Sequence, residues 1–535
     1  MNKIVGFCVS PESLDRSVDI FDVGFIVKEI QVGKYVLTIW GFDEVLSCVV
    51  NDKYSLAFPV NGSLLDRNVL ISVVGGEVVI ENDWLGSIPI FYNTTKKIAS
   101  SLIQHCVADS TVSQEGLELY CEHGYAAYGA TIYKEVRFLR YFSRITFAKT
   151  GLVVKKKPDP IRELDYDSVE VGSDTVVDTL TAYVRRVEVG LGGNIILPTS
   201  GGFDSRLLNY LVEDRSKIRS FTYGNSSDQN KSTEVVYAKR ISEIFQTKWK
   251  RIELTSFHEY IGKWFSCFGV STHLHGMYQI EFYKKILLDE GLAGSSLLSG
   301  IVGDAWAGSI SVPVIEKPSD LSKLGYTHGM SFPIKHLNDL VCGEDRDSFF
   351  NENKDLLTDS RHRIIFLIRN KIILLSYLMQ VPEYMGVPAW TPFLNLECVF
   401  KMLCLPDQER KNRKWQTELF RQTGLDLESE KLKSIRSNRL DAEVLKGARL
   451  EPLNVEVLAE YVSAHRVDEI NKILTIYTSG KLSMQKVFLN AVSYCLTISK
   501  VGGLLRKLGF KNRVLLALYQ YYVLKAVEKG IADAR

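Results

Sequence analysis

Ser200-Gly-Gly-Phe-Asp-Ser205 stands between a short apolar run, Asn194-Ile-Ile-Leu-Pro198, and an amphipathic stretch from Arg206 to Val212. A strand that turns into a helix through two adjacent glycines constrains the surrounding fold more than any other feature of this chain. The glycines let the backbone approach a ligand with no Cβ atom in the way. The helix that follows offers free N–H groups and a partial positive charge at its first turn, a setting for an anion. Ser200 and Ser205 add hydroxyl groups. Asp204 is the odd member, because a carboxylate beside a phosphate is repelled unless a cation stands between them. Cradle and carboxylate together therefore point to a magnesium–polyphosphate site. The lysine-bearing nucleotide loop, GxxxxGK[ST], does not occur in the sequence.

The residues around the loop alternate in kind. Ile218-Arg-Ser-Phe-Thr-Tyr223, Trp249 to Leu254 and Ser295 to Leu298 read as strands, and Glu234 to Phe245 and Tyr278 to Leu288 as helices. That alternation predicts βαβ units and a mostly parallel sheet. Earlier in the chain, Tyr35 to Trp40, Val69 to Val74 and Glu77 to Ile80 are short β-branched or aromatic runs, with Gly75-Gly76 as a hairpin turn. Ser113 caps a helix that follows it. Lys155-Lys-Lys-Pro-Asp-Pro160 and the acidic run after it read as a linker, and beyond about residue 360 the pattern is mainly helical. The expected division is 1–155, a linker at 156–174, 175–440, and a helical region at 441–535. The expected class is α/β together with α+β.

Composition narrows the function. Lys and Arg total 65 against 63 Asp and Glu in 535 residues, a net charge of +2. No chain-wide positive field is available for nucleic acid. Nine cysteines are scattered with no CxxC pair, the pattern of reduced thiols in a cytoplasmic protein rather than a disulfide scaffold. The N-terminal residues lack the long apolar core of a signal peptide. No apolar run approaches the roughly 20 residues needed to span a bilayer; the longest near-candidate is Val514 to Leu524. Nothing in the sequence indicates an oligomeric state.

On the residues of the loop the chain resembles the ATP pyrophosphatase group, in the branch of asparagine synthetase and β-lactam synthetase. Ser200 to Ser205 is similar to the group's pyrophosphate loop. Leu298-Ser-Gly-Ile-Val-Gly-Asp304 resembles its second motif, a strand ending in Ser-Gly with an Asp four residues past the glycine. The resemblance implies ATP held by Ser200, Gly201, Gly202, Asp204, Ser205, Tyr223, Ser299 and Gly300, and Mg2+ held by Asp204 and Asp304. Ala389-Trp-Thr-Pro-Phe-Leu-Asn395 and Arg413-Lys-Trp415 resemble later segments of those synthetases. Asn82 to Tyr92 looks like a stretch of the family's glutaminase domain. The implied architecture is a four-layer αββα N-terminal-nucleophile (Ntn) domain, then a doubly wound parallel-sheet ATP-binding domain with a helical C-terminal region. The family's glutaminase needs a cysteine directly after the initiator methionine. Asn2 takes that position here and Cys8 reads as a buried strand residue, so the glutaminase fold is expected without its chemistry.

Departures from the family shift the expected substrate. Ile301 stands where asparagine synthetase has Glu and β-lactam synthetase has Tyr, and Pro388-Ala389-Trp390 stands where Glu-x-Arg is usual. These changes imply a larger or less polar acceptor than aspartate. The implied activity is an ATP-dependent amide-forming ligase that adenylates a carboxylate, releases pyrophosphate and passes the acyl group to an amine. Its substrate would be a small molecule or peptide bearing both groups, with lasso-peptide cyclases the nearest analogy. Two readings stay open beside it: an amidotransferase supplied with ammonia from elsewhere, and a non-catalytic ATP-binding scaffold that recruits a biosynthetic partner protein. For the second step, Lys431 and Lys433 are candidate cations or bases, although a solvated basic face fits them equally. Glu383 is a candidate base, or a surface glutamate. His273 and His275 read as loop histidines. The basic C-terminal residues Arg506, Lys507, Lys511, Arg513, Lys525 and Lys529 fit docking on a membrane surface or an acidic partner protein, or the solvated face of a packed helix.

Overall fold

The computed structural model describes residues 4–13, 20–42, 53–58, 62–288, 290–325, 329–340, 343–479 and 512–535. Among these, eleven strands precede residue 157: β1 (Ile4–Ser10), β2 (Ile26–Val32), β3 (Tyr35–Gly41), β4 (Lys53–Ser55), β5 (Val69–Val74), β6 (Glu77–Asn82), β7 (Phe91–Asn93), β8 (Ile98–Ser100), β9 (Val136–Phe138), β10 (Ser143–Ala148) and β11 (Gly151–Lys156). They form two antiparallel sheets, ordered β2-β3-β1-β8-β7-β9 and β11-β10-β6-β5-β4. The β5–β6 hairpin turns on Gly75 and Gly76, at φ +61° and +78°, the paired positive values that match strand twist in a tight hairpin. Phe7, Val9, Leu37 and Ile39 of the first sheet meet Ile71, Val78, Ile80 and Phe147 of the second in one apolar core. Every residue of β1 is buried. Its alternate residue Cys8, with Trp40 of β3, faces the other way, into a larger core shared with later helices. The described residues of this part hold one α-helix, Gln114–His123, and the Ser113 hydroxyl caps it by accepting the Gly116 N–H.

A third sheet follows, built from β12 (Ile195–Pro198), β13 (Ile218–Thr222), β14 (Lys248–Arg251), β15 (Ser296–Leu298) and β16 (Ala389–Trp390). All neighbours are parallel, in the order β14-β13-β12-β15-β16. Ile195, Ile196 and Leu197 are fully buried, as a central parallel strand covered on both faces requires. Strands added on one side up to β14 and then on the other from β15, so strand order reverses between β12 and β15. In open α/β sheets the crevice at such a switch point, beyond the carboxyl ends of the strands, is where ligands bind.

The absence of a membrane-span-length apolar run is corrected by the structure. Ser360–Tyr384 is helical over a length and composition sufficient to cross a bilayer, with a mean hydropathy of 1.6. It is a core element instead, its apolar window 89% buried inside the molecule. Arg363, Arg369 and Lys371 interrupt the apolar pattern and are themselves buried. The C-terminal helix Arg513–Ala534 is likewise packed against the body. Arg513 pairs with Glu469, Lys525 with Glu528 and Lys529 with Asp533, so these cations close ion pairs within the molecule. Arg506, Lys507 and Lys511 lie outside the described residues, as do Asn2, Cys48, Cys342 and Cys495. The other six cysteines are free and buried.

Candidate active site

Ser200 to Ser205 leaves the carboxyl end of β12, and Ser299 to Asp304 leaves that of β15, on either side of the switch point. The loop is shaped by its own hydroxyls. Ser205 Oγ accepts the Ser200 N–H (3.1 Å) and donates to the Ser200 carbonyl (2.9 Å), while Ser200 Oγ accepts the Gly202 N–H (3.1 Å). Its two glycines answer different needs. A Cβ at Gly201 would come within 2.6 Å of Tyr237 on the neighbouring helix, so that position is required for packing. Gly202 is exposed and would meet only Ser200 Oγ, at 3.1 Å, which leaves its face of the loop open. The helix Phe203–Leu211 starts here, and its first-turn N–H groups have no partners within the helix.

The structure brings the two predicted aspartates together across 100 residues of sequence. Asp204 Oδ2 accepts the backbone N–H of Asp304 at 3.0 Å. Glycines make the approach feasible: a Cβ at Gly303 would stand 3.0 Å from Asp204 Cγ and 2.8 Å from the Phe393 ring. Asp204 Oδ1 is shielded from solvent and has no donor. Burial and the neighbouring Asp304 carboxylate push the Asp204 carboxyl up to about 8, against the opposing pull of Arg413 and the Asp304 N–H. Within the second motif Val302 sits at φ +55°. A β-branched residue there is strained, and such strain persists only where surrounding structure holds it.

Neighbouring segments close around this pair. Arg206 donates to the Gly201 carbonyl (2.9 Å), the Leu425 carbonyl (2.9 Å) and Glu428 (2.8 and 2.9 Å), tying the later chain to the loop. Arg413 lies over the Phe203 ring at 4.3 Å, and Trp415 donates its indole N–H to the Ala307 carbonyl at 3.2 Å. Tyr223, at the end of β13, packs its ring against Tyr278 and Phe282. Ser299 is buried, with its N–H donated to the Trp390 carbonyl at 2.9 Å, and Gly300 lies 3.4 Å from Asp204 Cβ by its would-be Cβ.

One of the three second-step candidates departs from its expected place, and the other two lie on the solvated face left open for them. Glu383 is no surface residue: it is buried and held by Arg67 through two bonds of 2.9 and 2.8 Å, so its carboxylate is committed to an ion pair. Lys431 and Lys433 are exposed. They lie on the segment whose Ile435 pairs in parallel with Ser232, beside the start of the helix Thr233–Phe245.

Two groups passed over in the sequence reading stand out in three dimensions. Lys371 is buried, and its amine is brought down to about 8 by burial, against the opposing attraction of Asp304. It is a buried amine within the electrostatic reach of Asp304, and no local pattern sets it apart from Arg363 and Arg369 on the same helix. His275 Nε2 lies 3.3 Å from Asp441 Oδ2, with Asp441 buried and His275 partly open. The Asn225 carbonyl, two residues past Tyr223, accepts the N–H groups of Arg439 and Leu440, which brings Asp441 to the carboxyl edge of β13. A histidine oriented by a buried carboxylate can take up a proton. The partners are 166 positions apart, so no local motif announces them. Comparison with protein-family models and with curated proteins finds no match to this chain.

Proposed function

We propose that the protein is an ATP-dependent amide-forming ligase of the asparagine synthetase type. A substrate carboxylate oxygen would attack the α-phosphorus of ATP, breaking the bond to the β-phosphate bridge and releasing pyrophosphate. An amine nitrogen would then attack the acyl carbon, lose a proton and expel AMP. One observation carries the reading: Asp204 and Asp304 meet at the switch point of a parallel sheet, beside a Ser-Gly-Gly loop at a helix start. A buried carboxylate with one oxygen lacking a donor, beside a second aspartate at an anion-binding turn, suits a cation and a polyphosphate.

Mg2+ fits these residues, since Asp204 Oδ1 is a shielded acceptor with no donor and Asp304 supplies a second carboxylate. When bound, the ion would offset the charge of the ATP phosphates against the two aspartates. The chain's own part is to present loop N–H groups to the departing pyrophosphate and to hold the Lys371 ammonium close by as that charge develops. His275, oriented by Asp441, is the group we assign to receive the amine proton. Glu383 is not assigned that role, because its carboxylate is buried in an ion pair with Arg67.

The antiparallel sandwich is read as a glutaminase-type domain without the chemistry. Cys8 is fully buried in β1 and burial pushes its thiol up to about 12. The Asp83 carboxylate is used locally, accepting from Asn68, Leu85 and Ser87 to hold the Trp84–Gly86 turn. Substrate-dependent ATP–pyrophosphate exchange against pools of amino acids, peptides and sugar acids tests the first half-reaction. Chromatography of the spent nucleotide tests the mechanism: AMP is expected, and ADP as the main product would refute it.

A further inference from the structure

The lysine run that opens the presumed linker, Lys155-Lys-Lys-Pro-Asp-Pro160, has no part in the reaction above. In the structure it lines a cavity of 360 Å³ at the root of the β10–β11 hairpin, opposite the helix Glu344–Asn353. Arg140, Lys156, Lys157 and Arg162 all face that space.

Their charge is under-compensated. Glu352 alone serves both Arg140 (3.0 Å) and Lys156 (2.5 Å). Glu81 serves both Lys157 (2.9 Å) and Arg144 (3.0 Å). Asp355 pairs with Arg162, and Asp159 is held by two bonds from Arg369. The cavity wall itself carries four cations, Arg140, Lys156, Lys157 and Arg162, against the carboxylates of Asp159 and Glu352. The wider network, with Arg144 and Arg369 against Glu81 and Asp355, keeps the same surplus of two positive charges. Arg140 Nε is shielded from solvent with no acceptor. Two aromatic rings form part of the wall: Lys157 lies over Phe142 at 4.4 Å, and Arg369 over Tyr141 at 3.7 Å. Cations resting on ring faces and sharing carboxylates can turn toward a better anion without losing their seat.

We infer that this cavity is a binding site for a phosphate monoester whose organic part is flat and apolar. The surplus of two charges matches a dianion, three terminal oxygens suit several donors at once, and the rings suit a planar group. The site is separate from the Ser200–Ser205 loop and does not depend on the ligase reading.

Isothermal titration of the full chain at fixed ionic strength tests it, with inorganic phosphate, phenyl phosphate and malonate as probes. Phosphate is expected to bind, phenyl phosphate several-fold tighter, and malonate more weakly than either. The Lys156→Gln/Arg162→Gln double variant changes two exposed side chains and should weaken phenyl phosphate at least tenfold. Ser200→Ala, in the loop, should leave that affinity within twofold. Equal affinity in the double variant and the parent would overturn the site, as would loss of binding in Ser200→Ala alone. Malonate binding tighter than phosphate would overturn the assignment to a phosphate monoester.

Discussion

Arg67 and Glu383, 316 positions apart, form a two-bonded ion pair with both side chains about 6% exposed. One stands just ahead of β5 in the sandwich and the other at the end of the long core helices, so the pair fastens the first part of the chain to the second. A buried pair of this kind is weak as a source of net stability, yet removing one partner strands a charge in the core.

Glu383→Gln or Arg67→Met should therefore cost about 3–5 kcal/mol in urea unfolding. If Glu383 is structural, the folded fraction of Glu383→Gln keeps both its exchange rate and its rate of amide formation within about twofold. A fully folded variant that exchanges pyrophosphate normally yet forms no amide would restore Glu383 as a base.

Asp204→Asn and Asp304→Asn should each abolish ATP–pyrophosphate exchange while leaving circular dichroism unchanged. Near-normal pyrophosphate release in either variant would remove both residues from the mechanism.

Asp204 also makes a prediction about pH without ligand. Its carboxyl is raised to about 8 in the folded state, whereas an unfolded Asp titrates near 4. The unfolded chain ionises first as pH rises, so this group disfavours the fold progressively between about pH 4 and 8, by several kcal/mol at most. Above about pH 8 its effect is constant. Asp204→Asn should flatten that part of the stability–pH curve and raise the melting temperature at pH 7.5. An unchanged slope would show that the carboxyl titrates normally.

Lys371→Met should lower the exchange rate about 100-fold, the usual cost of one charge-stabilising donor. Exchange by the parent protein should fall above about pH 8, where the Lys371 amine gives up its proton. That alkaline limb should be missing from the residual activity of the variant. An unchanged rate would make Lys371 a bystander.

Cys8→Ser should leave exchange intact, and neither protein should release glutamate from glutamine. A thiol raised to about 12 has no useful thiolate at neutral pH. Glutamate release that disappears in Cys8→Ser would place the chain among the glutamine-dependent enzymes.

What the sequence made legible was local. The Gly75-Gly76 hairpin, the Ser113 cap and the β12–loop–helix unit rest on residues within a few positions of one another, and each is found where the pattern puts it. The pairing of Asp204 with Asp304 was implied by the resemblance of their two motifs, and the structure places the two residues in contact. Lys371, His275 with Asp441, and the fate of Glu383 were not legible. Each owes its setting to a partner more than 60 residues away, and a buried ion pair leaves no periodic trace in either partner's own neighbourhood. The apolar length of the core helix 360–384 was missed because buried charges break its run, and one of them, Arg369, is paired with the distant Asp159.

Two neighbouring indoles, their ring centroids 6.3 Å apart, hold one short turn. Trp84 donates to the Leu394 carbonyl and Trp306 to the Phe393 carbonyl, each at 2.9 Å, and Arg369 donates to the Trp84 carbonyl at 2.7 and 3.0 Å. Trp306 belongs to the same short helix as Asp304. The polypeptide between β11 and the helix Ser173–Val189 is thus not what holds the two parts in register. A protease cut near Asp165–Ser168 would leave one particle that migrates intact on gel filtration, and the two fragments, made separately, would assemble into it again.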